Sequence, residues 1–180
     1  MGFKPITFAC EATFPISATQ IANQILDLTN WTDFKGYGPL PGIAHAEFDL
    51  RTPEIVGTRI RVTNQDGSSH IEEIQEWNPE QRLRLFMHEF KPPLSRLACG
   101  FDEIWVLERD GANTKVTRSF NLHPKSAIGR LVLWGISFLL QRAITNHLKQ
   151  MGDQFAIGSA ETGTHPICSS SEARTVKEAD

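Results

Sequence analysis

With 180 residues, 40% of them hydrophobic and 22% charged, the chain suits one globular domain. A formal net charge of −3, with 18 Lys and Arg scattered along the chain, excludes the basic stripe that a nucleic-acid binder needs. Cys10, Cys99 and Cys168 cannot all pair internally and have no metal-ligand spacing, so free thiols are expected, Cys10 and Cys99 buried in strands, in a reducing, cytoplasmic setting.

The first residues contain a proline and no continuous apolar run, so no secretory signal is expected. Residues 4–14, rich in β-branched and aromatic side chains, predict a strand that stops at Pro15. Ser17 is suited to cap a helix, and Ile21, Ala22, Ile25, Leu26 and Leu28 follow at helical spacing toward Asn30. Residues 35–42 hold three glycines and two prolines and predict a loop, either a mobile pocket entrance or a plain connector. From Ile43 the period switches to two, and strands are predicted over 43–50, 57–64, 69–77, 82–90, 97–108 and 114–122. Asp66-Gly67, between two alternating runs, is the strongest hairpin signal in the chain. His123-Pro124 ends the sheet, and residues 126–155 predict one helix roughly 45 Å long. Its continuous apolar run, 131–140, is about half a membrane span, which predicts a buried helix and no integral membrane segment. After Gly158 the sequence is polar, and residues 158–180 predict a disordered tail.

Six antiparallel strands in succession twist into a curved meander, and the apolar face of such a sheet needs a cover that only the last helix can supply. Within this order stand Trp31 after the first helix, Gly57-Thr-Arg-Ile-Arg-Val, and Glu72-Glu-Ile-Gln-Glu-Trp-Asn-Pro followed by Arg82-Leu-Arg-Leu. Asp110-Gly111 then precedes Thr114-Lys-Val-Thr, and Gly129-Arg-Leu lies early in the last helix. Over about residues 4–157 the pattern resembles the START/Bet v 1-like superfamily, the SRPBCC or polyketide cyclase/dehydrase group. The resemblance implies an α+β helix-grip fold: a curved antiparallel seven-stranded sheet wrapped around a long C-terminal helix, with a short helical segment after strand 1. It also implies a ligand-binding domain over residues 1–157, a hydrophobic pocket between sheet and helix, and no universal catalytic residues.

Strand parity predicts the lining. With Asp66-Gly67 as a two-residue turn, Val62 faces Ile71 and Ile60 faces Glu73. The face bearing Ile60, Val62, Ile71, Glu73, Gln75 and Trp77 is the more apolar and is expected inward, which makes Glu73 an inward carboxylate. Phe101, Glu103, Trp105 and Leu107 are expected to share that side with Val116, Arg118, Phe120 and Leu122, Glu103 lying across from Arg118. Such a pair satisfies itself, whereas a lone buried charge is costly. In 82–90, inward Leu83, Leu85 and Met87 force Phe86, His88 and Phe90 outward unless a bulge intervenes. On the long helix Ile128, Val132, Ile136, Leu139, Ala143, Ile144, His147 and Met151 form the expected inward stripe. Leu131, Trp134 and Phe138 widen it; pocket lining, contact with the first helix and a homodimer face all stay open for them.

The expected ligand-binding set is therefore Ile60, Val62, Ile71, Glu73, Leu85, Met87, Trp105, Arg118, Phe120, Phe138 and His147. Glu73, Glu103, Arg118 and His147 are the candidates for proton transfer or carbonyl polarisation. Each also has a plainer reading, as an edge carboxylate, a cross-strand ion pair or a hydrogen-bonded wall histidine. His45 and His88 are undecided, and Trp31 and Trp77 read as packing. No phosphate-cradling loop, His-Glu-x-x-His, Gly-x-Ser-x-Gly or Cys–His metal spacing occurs, so no metal or nucleotide cofactor is expected. The leading expectation is binding or transport of a small hydrophobic molecule (a lipid, isoprenoid or polyketide-like aromatic). A polyketide cyclase or dehydratase using the same pocket is the alternative, and a protein-interaction module working through the long helix or the tail is the second.

Overall fold

Local signals set where each element starts and stops. The computed structural model describes residues 3–161; of the expected tail over 158–180, residues 158–161 continue the last helix, and the rest lies outside the described residues. The strands are β1 (Ile6–Phe14), β2 (Ile43–Leu50), β3 (Arg59–Asn64), β4 (Ser69–Asn78), β5 (Arg82–His88), β6 (Ala98–Asp110) and β7 (Asn113–Pro124). The helices are α1 (Ala18–Leu26), the single turn α2 (Leu94–Leu97) and α3 (Ala127–Glu161), with a 3-10 helix at Leu28–Asp33. Ser17 begins α1 through a capping box: its hydroxyl accepts the Gln20 N–H at 3.3 Å, and the Gln20 side chain accepts the Ser17 N–H at 3.0 Å. The expected single helix to Asn30 is instead two, because the Asp27 carboxylate accepts the Thr29 N–H at 3.2 Å and restarts the chain as the tighter 3-10 form. Trp31 pins that turn onto α1, its indole N–H donating to the Ile25 carbonyl at 2.9 Å.

The sheet is antiparallel, in the order β1-β7-β6-β5-β4-β3-β2: a six-stranded meander whose last strand pairs with β1. One register differs from expectation, and it inverts a face. Asn64 N–H donates to the Ser68 carbonyl at 2.8 Å, so the β3–β4 loop is the three residues Gln65-Asp66-Gly67, with Gly67 at φ +80°. The Asp66 carboxylate draws the chain into that turn by accepting from the Ser68 N–H at 2.9 Å and hydroxyl at 2.7 Å. Val62 then pairs with His70, and Ile60 with Glu72. A one-residue slip sends every side chain of a strand to the other face, so His70 and Glu72 point inward while Ile71 and Glu73 lie outside.

At the β6–β7 hairpin the turn is Gly111-Ala112, which places Trp105 across from Arg118 and Glu103 across from Phe120. The offset from the expected pairing is two residues, so the faces are preserved. In β5, Leu83, Leu85 and Met87 do point inward; the reversal expected as a bulge occurs past the strand end, where Glu89 at φ +56° turns Phe90 back toward Phe101, ring centroids 4.8 Å apart. Cys10 is buried under α3 as expected, but Cys99 is exposed, at a register shift between Ala98 and Gly100.

α3 rests on β1 and β7. Its buried stripe runs through Leu133, Ser137, Leu140, Ala143, Ile144, Leu148 and Met151. Of the expected inward stripe Ala143, Ile144 and Met151 lie in it, Val132, Ile136, Leu139 and His147 flank it on the cavity side, and Ile128 alone is 72% exposed. Two glycines separate packing from propensity. A Cβ at Gly100 would stand 2.7 Å from Phe86 Cε2 and still nearer its Cζ, whereas one at Gly135 on α3 would meet nothing within 4 Å. Gly100→Ala is expected to lower unfolding stability by about 1–3 kcal/mol, and Gly135→Ala to raise it by up to about 1 kcal/mol, both read from urea unfolding.

Candidate functional site

A cavity of about 460 Å³ lies between the inner sheet face and α3. β5 contributes Leu85 and Met87, β6 Phe101 and Trp105, and β7 Phe120. Val132, Ile136 and Leu139 close it from the flank of α3 beside the buried stripe, and Leu94 and Leu97 come from α2. Trp31 enters from the 3-10 helix and Phe34 from its C-terminal cap, and Pro39, Leu40 and Pro41 place the glycine- and proline-rich loop on the same wall.

Among the polar side chains that interrupt these walls, one group is linked by hydrogen bonds around Arg118. Arg118 Nε donates to Glu103 Oε1 at 2.5 Å, and the Trp105 indole N–H donates to the same oxygen at 2.6 Å. The guanidinium stacks on the Trp105 ring, 4.5 Å from its centroid, which holds its plane in place. Arg118 Nη1 lies 3.0 Å from His147 Nδ1. Arginine can only donate, so Nδ1 accepts and the imidazole proton sits on Nε2. Burial and the neighbouring positive charge of Arg118 both disfavour the imidazolium, holding the His147 pKa down at about 3 against a weak opposing pull from Asp33. Burial pushes the Glu103 carboxyl up, against the attraction of Arg118, and the charge of Glu72 adds to the rise. Glu72, also on the cavity wall, is 3.1 Å from His70 Nε2.

The structure thus brings Leu85, Met87, Glu103, Trp105, Arg118, Phe120 and His147 to one cavity. The other expected lining residues fall elsewhere. Ile60 and Val62 are fully buried on the inner face, where they pack the core and do not line the cavity. Ile71 and Glu73 are on the outer face because of the hairpin register, and Glu73 lies 3.6 Å from His88. Phe138 is on the solvent side of α3, 51% exposed. His45 sits at the surface beside Glu47, 3.7 Å away, and Trp77 packs against the core. Sequence reasoning missed His70, Glu72 and Phe90 as cavity residues; the signal for the first two was the extra residue that Asp66 takes into its turn. Among the described residues no cluster of three or more His, Cys, Asp or Glu is arranged to hold a metal ion.

No family model and no curated protein matches the sequence. Solved structures match its fold. A protein from Thermus thermophilus superposes with a TM-score of 0.64 at 19% identity, over 86% of this chain and 99% of that one. The Zhui aromatase/cyclase from Streptomyces sp. R1128 gives 0.63 at 12% identity, over 83% and 94% of the two chains. A START superfamily protein from Mycobacterium smegmatis gives 0.56 at 10% identity, over 81% and 98%. Identities this low speak for architecture and not for activity. In architecture, this chain has the helix-grip fold, a curved antiparallel sheet around a long C-terminal helix, that these structures share.

Proposed function

We propose that the chain binds, and carries, a small hydrophobic molecule with an oxygen-bearing end in the cavity between the sheet and α3. The observation that supports this reading is the juxtaposition in one cavity of aromatic and aliphatic walls with the Glu103–Arg118–His147 group. The walls take apolar ligand surface out of water, which contributes roughly 25 cal/mol per Å². The polar group orients the ligand: Arg118 and the Nε2–H of His147 are donors for a carbonyl or hydroxyl oxygen, and Glu72 is an acceptor. Lipids, isoprenoids and polyketide-like aromatics all fit this description.

A second reading, polyketide cyclase or dehydratase chemistry, is favoured by one feature, a buried carboxyl whose proton affinity burial raises, beside a fixed guanidinium. In it Arg118 polarises a ligand carbonyl and Glu103 exchanges the proton. His147 is a poor proton shuttle, because a base whose conjugate acid has a pKa near 3 holds a proton too weakly at neutral pH. Its part in either reading is that of a fixed donor.

Native mass spectrometry of gently purified protein should show a bound hydrophobic molecule, and lipophilic dyes should compete for it; a protein that is always empty and takes up no dye would sink the proposal. Ile136→Trp, which fills the cavity from α3, should lower dye affinity at least about tenfold while the fold persists. Glu72→Gln should weaken binding of a hydroxyl-bearing ligand by about tenfold, whereas Glu73→Gln on the outer face should change it by less than about twofold; the reverse order would return the hairpin to the two-residue turn.

His147 also predicts a pH dependence of stability. Its folded pKa, about 3, lies below the ordinary value of 6.5, so the unfolded chain binds the proton first as pH falls. Stability is therefore full above pH 6.5 and is lost progressively as pH drops toward 3, by an amount on the order of a few kcal/mol. Glu103, shifted upward, acts with the opposite sign. The difference in urea midpoint between wild type and His147→Gln, compared at pH 7 and pH 5, isolates the histidine and should narrow at the lower pH.

A further inference from the structure

α3 carries more apolar surface than the sheet uses. Within 127–156, an 18-residue stretch reaches a mean hydropathy of 1.4, yet only 33% of that stretch is buried. One side of the helix is committed to the core through Leu133, Leu140 and Ile144, so it cannot enter a bilayer as a span without opening the sheet. On the other side Ile128, Leu131, Trp134 and Phe138 face solvent, at 72%, 71%, 56% and 51% exposure. Residues 128, 131, 134 and 138 follow one helical stripe. Trp134 and Phe138 meet edge to face, with centroids 4.8 Å apart, so the stripe forms a connected ledge and not scattered side chains. Arg130 donates to the Lys4 carbonyl and brings the segment that carries the exposed Phe3 alongside.

The charge along this part of the chain has one sign. The whole chain is acidic, at −3, yet residues 114–152 contain six Lys and Arg and no Asp or Glu. Exposed Lys125, Arg130 and Arg142 flank the apolar residues along α3, and Lys125 is held toward α2 by its ammonium, which donates to the Ser95 carbonyl at 2.6 Å. A second copy of the chain seated here would set these cations against themselves. An apolar, tryptophan-bearing helix face bordered by Lys and Arg matches the boundary between acyl chains and anionic headgroups.

We propose that the solvent-facing side of the N-terminal half of α3 docks onto the surface of an anionic lipid bilayer, the ledge inserted at headgroup depth and Lys125, Arg130 and Arg142 at the phosphates. The helix lies in the plane of the surface and does not span. Its next flank, with Val132, Ile136 and Leu139, lines the cavity, so the docked face is one helix side away from the proposed ligand. The docking does not depend on what that cavity holds.

The test is vesicle flotation of the full chain with phosphatidylcholine alone and with phosphatidylcholine containing about one-third phosphatidylserine. Wild type should float with the anionic vesicles and far less with the neutral ones, and the bound fraction should fall as salt rises. Leu131→Glu combined with Trp134→Glu should lower binding at least tenfold while circular dichroism and dye uptake are retained. Arg130→Glu with Arg142→Glu changes no buried residue and should lower binding to anionic vesicles by a similar factor, so the proposal stays testable if the first variant folds poorly. No binding of the wild type to either vesicle overturns the proposal, as does equal binding to both with no effect of the charge reversals. A dimer in sedimentation analysis that the Leu131/Trp134 variant dissociates, with no vesicle binding by the wild type, assigns the ledge to a second copy instead.

Discussion

α3 lies along one margin of the sheet, against β1 and β7, and does not cover the inner face of β4, β5 and β6 with its own side chains. The hollow follows from that placement. A sheet of seven twisted strands is wider than a single helix, so a helix seated at one edge leaves inner-face side chains such as Leu85, Met87 and Phe101 facing space instead of partners. The remaining closure comes from pieces with little regular structure: the 3-10 helix, the loop carrying Pro39 to Pro41, and the single turn of α2. Side chains in a close-packed interior lose contacts when a gap opens beside them, so an apolar gap of this size is stabilised when a ligand supplies the missing contacts.

Against that background the Glu103–Arg118 pair is poorly explained as a stabilising element. A buried ion pair can usually be replaced by apolar residues of similar volume with no loss of stability, while removal of one partner alone leaves an uncompensated charge. The pair is over-determined here, with Trp105 serving both as donor to Glu103 and as stacking surface for Arg118, and His147 accepting from the far side of the guanidinium. Three side chains from two elements hold one orientation of one cation. Such pre-organisation is what a ligand-orienting group requires, because donors already fixed in place lose little further freedom when a ligand arrives.

Element order was legible in the sequence because it rests on local patterns: Ser17 and Gln20 for the first cap, period-two alternation for the meander, and His123-Pro124 for the exit into α3. The inward set on β6 and β7 was legible too, since an error of two residues preserves parity, and Arg118 reaches Glu103 from the neighbouring pair. What failed was anything that hung on an odd count. The Asp66 carboxylate takes a third residue into the turn, and that single residue exchanges Glu73 for Glu72 at the cavity. The apolar ranking of faces pointed the wrong way for the same strand, because Ile71 is buried on the outer side, while the inner side carries His70 and Glu72 at the cavity wall. The phase of α3 was legible in part: Val132, Ile136, Leu139, Ile144, His147 and Met151 reach the cavity side, while Ile128 faces solvent. Three of its sides are apolar, so hydrophobic periodicity alone could not say which one met the sheet.

Those three sides divide the work of the helix. Leu133, Leu140 and Ile144 anchor it, Val132, Ile136 and Leu139 face the cavity, and Ile128, Leu131, Trp134 and Phe138 face outward. An ordinary covering helix needs only the first, with polar residues opposite. The second is required once the sheet is hollow. The third serves neither packing nor the cavity, and it is confined to the half of the helix beside α2, where the charges along the helix are all positive. A surface composed of exposed aromatic and aliphatic side chains within a basic border is costly to leave in water and suits an anionic interface, which makes the apolarity of α3 a consequence of three separate environments on one rod.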